Sequence, residues 1–557
     1  MVTKVTIGEL YDIISKINWR GYKAYKRLKG LIIDYGLATG YFTRIQGDPF
    51  APPSWFEVVI PKSVHGFPSR WLHGRESIAL SDYIARKLYA ILKSHRRKCG
   101  TGNSCYLGVP KPSPRILKRS CVEIDDNGSL ILRFHVGLPA RGRKILGGEA
   151  IDLIIDKIEL VLRSIVSLKN RLNEIKEHIS IFIDQEYLRD WLKKNGYIAF
   201  VADDSILPRE SSLSEKPMLN AVRFKTPESL RKTITLPSGR RISGMAIPEG
   251  VFLITGGGYH GKTTLLEAIQ DGIYSHIKGD GREFVVTRKN TIIVKAEDGR
   301  IVHCVDITSF LDKLPGGRDT TCYSSLDASG STSMASSISE AVEAGCEAIL
   351  IDEDTSATNL LFKDHVMAKI IRLEPIKPLS VQAKSFYNKT KCSLVVIASA
   401  SSAFIPAADK IIVMENFEPR DITMEAKKFF QETSIEAGYN PPRRRVFHGI
   451  KGVKKVKARG YKIKITYVNG EQFELDLNGY DRIVETGQVK MIAQIIEYFA
   501  KNNVKYSSRE LIEYIDKTLE EKGFKAFTRP IPPDLTMVSG FDVYWVLNRI
   551  PRAVFKQ

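Results

Sequence analysis

The chain has 557 residues, with 83 Lys+Arg against 63 Asp+Glu and a formal net charge of +20. That length exceeds a single hydrophobic core and predicts two to four domains. The charge surplus favours a polyanionic partner, nucleic acid or an anionic membrane surface, and no apolar run approaches the ~18 residues of a spanning helix. The opening residues lack a secretory layout, so a cytoplasmic location and no membrane are expected. The seven cysteines, at 99, 105, 121, 304, 322, 346 and 392, contain no C-x-x-C pair. Their scatter and odd number suit a reducing compartment and argue against a zinc site or a disulfide framework. Cys99 and Cys105 could close a local loop if oxidised.

To residue 218 the pattern is mixed α/β. In residues 20–30 tyrosines alternate with cations. This suits either stacking on a single nucleic-acid strand or an amphipathic helix with its tyrosines inward. A turn-rich segment follows at 45–53. After a helical pattern at 84–92 comes the basic, glycine-rich stretch 95–105, where Arg96, Arg97 and Lys98 are candidate phosphate contacts, and Arg141 and Arg143 form a second basic turn. Residues 149–179 read as a helix, with Ile151, Ile154, Ile155, Ile158, Leu162 and Ile165 at spacings of three and four. A shorter helix is expected at 184–195, ended by Gly196.

From 219 short strands take over, with a hairpin at 233–236 and 242–247 leading into the apolar strand that begins at Phe252. Next comes Gly256-Gly257-Gly258-Tyr259-His260-Gly261-Lys262-Thr263-Thr264, which fits G-x-x-x-x-G-K-[ST]. Glycines let backbone N–H groups converge on an anion, and the helix start after them adds positive potential. Lys262 is placed for the β- and γ-phosphates and the Thr263 hydroxyl for Mg²⁺. The apolar run Ala348-Ile349-Leu350-Ile351 ends in Asp352 and Glu353, a Walker B pattern. Asp352 would hold Mg²⁺ through water, and Glu353 would orient the attacking water. Ser329, Gly330 and Ser331 precede a helical stretch 23 residues before Asp352, where a signature gripping the γ-phosphate of ATP belongs in ABC-type ATPases. Another core strand ends at Ser399, at the switch-loop position. Glu297, 35 residues after Lys262, is at the distance of a metal-facing residue, although a surface turn explains it equally well.

Beyond 440 the chain changes again. Residues 441–465 hold ten Lys or Arg and no acid, among them Arg443, Arg444, Arg445, Lys454 and Lys455, read as a nucleic-acid contact. The alternation around Asn469-Gly470 predicts a hairpin, followed by helices at 489–500 and from Ser507, whose capping box closes with Glu510.

The P-loop, Gly279-Asp280-Gly281-Arg282-Glu283-Phe284, the run from Asp327 to Ala335 and Ile351-Asp352-Glu353-Asp354-Thr355-Ser356-Ala357-Thr358-Asn359 resemble the predicted ATPases of the ABC class, a non-transporter family. Segments 22–30, 46–53 and 207–209 share the resemblance, which spans about residues 15–430. One protist member is an accessory ATPase of mitochondrial RNA editing that binds RNA as a homodimer. The resemblance thus implies ATP and Mg²⁺ as cofactors, a homodimer with ATP between the P-loop of one copy and Ser329, Gly330 and Ser331 of the other, and RNA or single-stranded DNA as cargo. Two positions depart from ordinary ABC proteins. The signature is Ser-Gly-Ser, and Ser399 replaces the switch histidine, so a cationic γ-phosphate sensor is missing there. The competing reading is therefore a nucleotide-gated scaffold, or an assembly factor acting on a protein partner. The expected fold is α/β: an ABC-type P-loop ATPase core (219–440) between a mixed α/β N-terminal domain (1–218) and a small α+β C-terminal domain (441–557).

Overall fold

Strict alternation marks the central strand of the first sheet. In the strand Ser54–Ile60, Phe56, Val58 and Ile60 are buried, while Trp55, Glu57 and Val59 between them are partly exposed. The computed structural model describes residues 3–314, 316–364, 370–371, 373–430, 437–502 and 504–557. These divide into two compact units: residues 1–183, 485–491 and 522–537, and residues 184–484, 492–521 and 538–557.

In the first unit a seven-stranded sheet runs in the order Thr3–Thr6, Leu31–Asp34, Thr39–Arg44, Ser54–Ile60, Leu130–Val136 and Leu107–Gly108, with Val122–Ile124 also paired to Leu130–Val136. Its helices depart from the expected boundaries. The helical run continues through a π-helical turn at Asp152–Lys157, then tightens at Ser167–Arg171 before Leu172–Lys194. Buried Tyr35 donates to the Ile154 carbonyl at 2.8 Å, satisfying an acceptor inside the π turn. Buried Asp82 receives Arg86, Arg119 and His178, and Arg119 also grips Glu485. That ion cluster fixes a short C-terminal segment in this unit.

The second unit is laid out around a six-stranded sheet. Its order is Thr291–Ile293, Ala348–Asp352, Ser393–Ile397, Val251–Thr255, Lys410–Glu415 and Glu418–Asp421, parallel except for the last pair. Parallel strands are covered on both faces and read as apolar runs, as Val251–Thr255 and Ser393–Ile397 do. Leu265, Leu266 and Ile269 of the helix Lys262–Asp271 close one face. The expected hairpin forms as Arg231–Thr235 and Arg241–Pro248. Tyr197–Ala202 joins it and also pairs with Val285–Thr287. Residues 184–218, assigned from sequence to the N-terminal domain, therefore belong to the ATPase unit.

Residues 441–484, 492–521 and 538–557 of the C-terminal region fall in the second unit, where buried arginines tie them to the core. The helix Gly330–Glu343 is buried along almost its whole length, including Glu340 and Glu343. Glu343 accepts the Arg445 backbone N–H at 2.6 Å and its guanidinium at 2.8 Å, and Tyr544 donates to it at 3.0 Å. Arg300 pairs with Glu340 at 2.6 Å. Arg445, expected from sequence to meet nucleic acid, is instead buried. The strands Val453–Arg459, Lys462–Tyr467 and Gln472–Asp476 form an antiparallel meander, with Ile463, Ile465 and Tyr467 inward as the alternation predicts. Ser507 and Glu510 exchange the expected capping hydrogen bonds.

The cysteines also differ from expectation. Cys99 is bonded to Cys105 and Cys304 to Cys322, leaving Cys121, Cys346 and Cys392 as buried thiols. Cys304 and Cys322 meet because Arg300–Val305 pairs with Tyr323–Ala328, a tertiary fact that cysteine spacing does not carry.

Removing one partner of a buried ion pair strands the other charge. Arg445→Ala should therefore cost about 3–5 kcal/mol in chemical denaturation, whereas exposed Arg444→Ala should stay within about 0.5 kcal/mol.

Candidate nucleotide site and basic surfaces

The P-loop strand Val251–Thr255 ends in a turn that only glycine can make at two points. Gly256 has φ +132, and a Cβ there would lie 2.4 Å from the Met414 carbonyl oxygen. Gly261, at φ +89, leads directly into Lys262–Asp271. A glycine-rich turn leading straight into a helix start is the setting in which backbone N–H groups can cradle an anion. Lys262 Nζ donates to the carbonyls of Gly256 and Gly257 at 2.9 and 2.6 Å, so its charge is held over the loop. Tyr259 is fully exposed with φ 64, and His260 Nδ1 accepts the Asn416 N–H at 2.8 Å. Gly257, Gly258 and Thr264 complete the loop and the first helical turn.

The Walker B strand Ala348–Asp352 lies two places away, with Ser393–Ile397 between it and the P-loop strand. Thr263 Oγ1 donates to Asp352 Oδ2 at 2.7 Å. A hydroxyl and a carboxylate oxygen held together in this way are hard donors of the kind Mg²⁺ takes. The adjacent Glu353 Oε2 accepts the backbone N–H of Ser399 at 2.7 Å and of Ala400 at 3.2 Å. The switch position thus acts on the carboxylate through its main chain, and sequence reading, which looks for a side chain, missed Ala400.

Ser329 stands at the N-cap position of the helix Gly330–Glu343 without a side-chain capping bond, and its hydroxyl lies 3.1 Å from that of Thr332. Ser331 Oγ donates to Asn359 Oδ1 at 2.8 Å, joining the signature to the segment after Walker B. Glu297 does not stand free for a metal. Its carboxylate takes Arg549 through two nitrogens, one at 2.9 Å, and its N–H donates to Ser333 Oγ at 2.9 Å. Burial alone would raise the Glu297 pKa, but the Arg549 charge and hydrogen bonds hold it below the usual carboxylate value. Arg549 in turn stacks on Trp545. The Glu297–Arg549 pair was invisible in sequence because 252 residues separate its members.

The basic residues fall into two groups. In the first unit three segments distant in sequence meet. Tyr22 N–H donates to the Arg143 carbonyl, and Gly142 N–H donates to Thr101 Oγ1. This gathers 20–30, 95–105 and the hairpin Ala140–Arg141 with Lys144–Ile145 on one surface. Tyr22 and Tyr25 point inward, donating to the carbonyls of Leu138 and Pro139, which settles the two readings of that stretch for packing. Lys23, Lys26, Lys98, Arg141 and Lys144 are exposed around them. Other members are neutralised: Arg97 pairs with Glu149 and Asp152, and Arg143 with Asp48, while Arg96 lies over the Tyr106 ring.

In the second unit the meander presents Lys455, Lys457 and Arg459 opposite Thr466, Lys464 and Lys462. Lys454 is exposed at a register shift beside them. Lys457 faces Lys464 directly, a like-charge pair, while Glu474 faces Lys464 from the next strand. Lys462 is offset by Glu474 at 2.8 Å. Arg443 and Arg444 are exposed, Arg443 with its N–H on Asp306 at 3.1 Å. Lys457, Arg459 and Lys464 belong to the ten cations of 441–465, and the strand register sets them beside Lys454 and Lys455.

With this geometry in hand, comparisons with known proteins place the chain. The family model for the ABC ATPase P-loop domain matches residues 171–448, that for the N-terminal part of the ATPases of the ABC class residues 7–169, and that for the MRB1590 C-terminal domain residues 455–556. The uncharacterized protein MJ1628 of Methanocaldococcus jannaschii is 33% identical over 300 residues, 48% of this chain and 65% of that protein. The match therefore covers less than two thirds of that relative's length. Among solved structures, cbiO1 from Clostridium perfringens, part of the ABC transporter complex cbiONQ, is 14% identical, with a TM-score of 0.24 over 40% of this chain and 87% of its own. No helix among the described residues is long and apolar enough to cross a membrane. Matched in order by an N-terminal, a P-loop and a C-terminal domain, the chain belongs to the ATPases of the ABC class.

Proposed function

We propose that this chain is a Mg²⁺-dependent ATP hydrolase of the cytoplasm that works as a homodimer and remodels bound nucleic acid, RNA or single-stranded DNA. The observation that carries the hydrolase reading is the pairing of Thr263 with Asp352 beside that of Glu353 with Ser399 and Ala400. Thr263 and Asp352 would hold Mg²⁺, whose charge offsets that developing between the β- and γ-phosphates. Lys262 steers the same phosphates. Glu353, its carboxylate oriented by two main-chain N–H groups, aligns the attacking water and takes its proton. The signature hydroxyls make their hydrogen bonds to Thr332 and Asn359 rather than to the P-loop, which suits a role on a second copy's nucleotide.

Support for nucleic acid comes from the exposed cations: the gathered loops of the first unit and the Lys457–Lys464 pair of the second. A single observation favours the rival reading, a nucleotide-gated scaffold. Ser399 offers no imidazole to sense the γ-phosphate, so slow turnover with intact ATP-dependent association would fit that alternative.

Two measurements test this reading. Lys262→Ala should abolish ATP binding in calorimetry, while Glu353→Gln should keep binding and lower turnover by about 10²–10⁴-fold. Unchanged turnover in Glu353→Gln would remove the carboxylate from the mechanism. For the cargo, replacing Lys454, Lys455, Lys457 and Lys464 with Gln should weaken single-stranded RNA binding. The log K against log salt slope should flatten by about 0.7 for each phosphate that is no longer neutralised. A slope equal to that of the unaltered protein would place the nucleic-acid surface elsewhere.

A further inference from the structure

The hairpin beyond the switch strand carries a feature the hydrolysis mechanism does not use. Strands Lys410–Glu415 and Glu418–Asp421 are joined by a two-residue turn, Asn416-Phe417, with Glu415 opposite Glu418. Both turn residues have positive φ, 49 and 71. Such turns favour Asn-Gly, because a side chain at the second position strains the backbone. Asparagine fits the first position. A phenylalanine at the second is held against local preference, and strain of that kind concentrates at functional sites. Its ring is half exposed.

The turn is also pinned to the P-loop. Asn416 N–H donates to His260 Nδ1 at 2.8 Å, and a Cβ on Gly261 would lie 3.1 Å from Phe417 Cδ1. Gly256 packs against Met414, two residues before the turn. The aromatic ring therefore stands beside the glycine that precedes Lys262.

Sheet order decides which end of a nucleotide would meet it. The Thr263–Asp352 contact fixes the metal and γ-phosphate end on the Walker B side of the P-loop strand. A nucleotide threaded through the loop leaves with its sugar and base on the other side. There the neighbour is Lys410–Glu415, paired with the P-loop strand through Thr255 and Val413, and its turn is Asn416-Phe417.

We propose that Phe417 is the stacking platform for the base of the bound nucleoside triphosphate, held in place by the Asn416–His260 hydrogen bond. The proposal rests on the P-loop being the nucleotide site and adds the residue that receives the base. An aromatic face attracts any base, so the platform contributes affinity and discriminates little between ATP and GTP.

The test uses the full chain and two probes, Mg-ATP and inorganic tripolyphosphate, which carries the phosphates without sugar or base. Phe417→Gly relieves the strained φ, so this variant should fold at least as well as the natural protein. Calorimetry should show ATP bound about tenfold more weakly and tripolyphosphate unchanged. Phe417→Trp should restore ATP binding, with fluorescence quenched by ATP and not by tripolyphosphate. Equal ATP affinity in Phe417→Gly and the natural protein would overturn the platform while leaving the P-loop reading intact. Equal weakening of both probes would overturn it as well, since the turn would then only support the loop. Absence of ATP binding to the natural protein would instead sink the P-loop reading, and the platform with it.

Discussion

The ATPase unit depends on neutralising the carboxylates of one buried helix. Glu340 and Glu343 lie on Gly330–Glu343 without solvent to stabilise them, and an isolated buried carboxylate would cost several kcal/mol. Arg300 and Arg445 supply the opposite charges, while Arg549 lies 3.7 Å from Glu340 and pairs with Glu297. Two of these three arginines come from the last quarter of the chain. The helix that begins at the signature is therefore the anchor on which the strand Val446–Ile450 and the helix Gly540–Leu547 are mounted. These contacts bind part of the C-terminal domain tightly to the ATPase core, and they split its first basic run between an exposed pair, Arg443 and Arg444, and a buried clamp, Arg445.

The nucleotide site follows a division of labour set by sheet order. Strand ends on one side of the P-loop place Asp352 and Glu353, proposed for the metal and water chemistry, and the strand on the other side places Asn416 and Phe417. The switch position lies between these groups. Replacing histidine by serine there would remove a side-chain function, yet the main chain keeps its hold on Glu353 through two N–H groups. A backbone contact survives any substitution except proline, so the loss of an imidazole need not disorder the Glu353 carboxylate.

The ATPase motifs were legible because each couples residue type to a local shape: glycines to the curl before Lys262, an apolar run to the strand ending at Asp352, hydroxyls to the start of the signature helix. The meander was legible from alternation about Asn469-Gly470. What stayed hidden was tertiary. No glycine or proline marks the break at Ser167–Arg171, so the helices appeared to divide elsewhere. The pairings Glu297–Arg549 and Glu343–Arg445 span more than a hundred residues each, and charge counting alone could not tell a buried arginine from an exposed one. The same limit hid the disulfide between Cys304 and Cys322, and the gathering of three basic loops around Tyr22 and Tyr25.

The central claim is that ATP joins two copies of this chain, with the signature of one completing the site of the other. The most direct measurement is the solution mass of Glu353→Gln by analytical ultracentrifugation, with and without Mg-ATP. The account predicts the mass of one chain without nucleotide and of two with it, and the shift should vanish when Lys262→Ala is added. A mass of one chain under saturating ATP would contradict it.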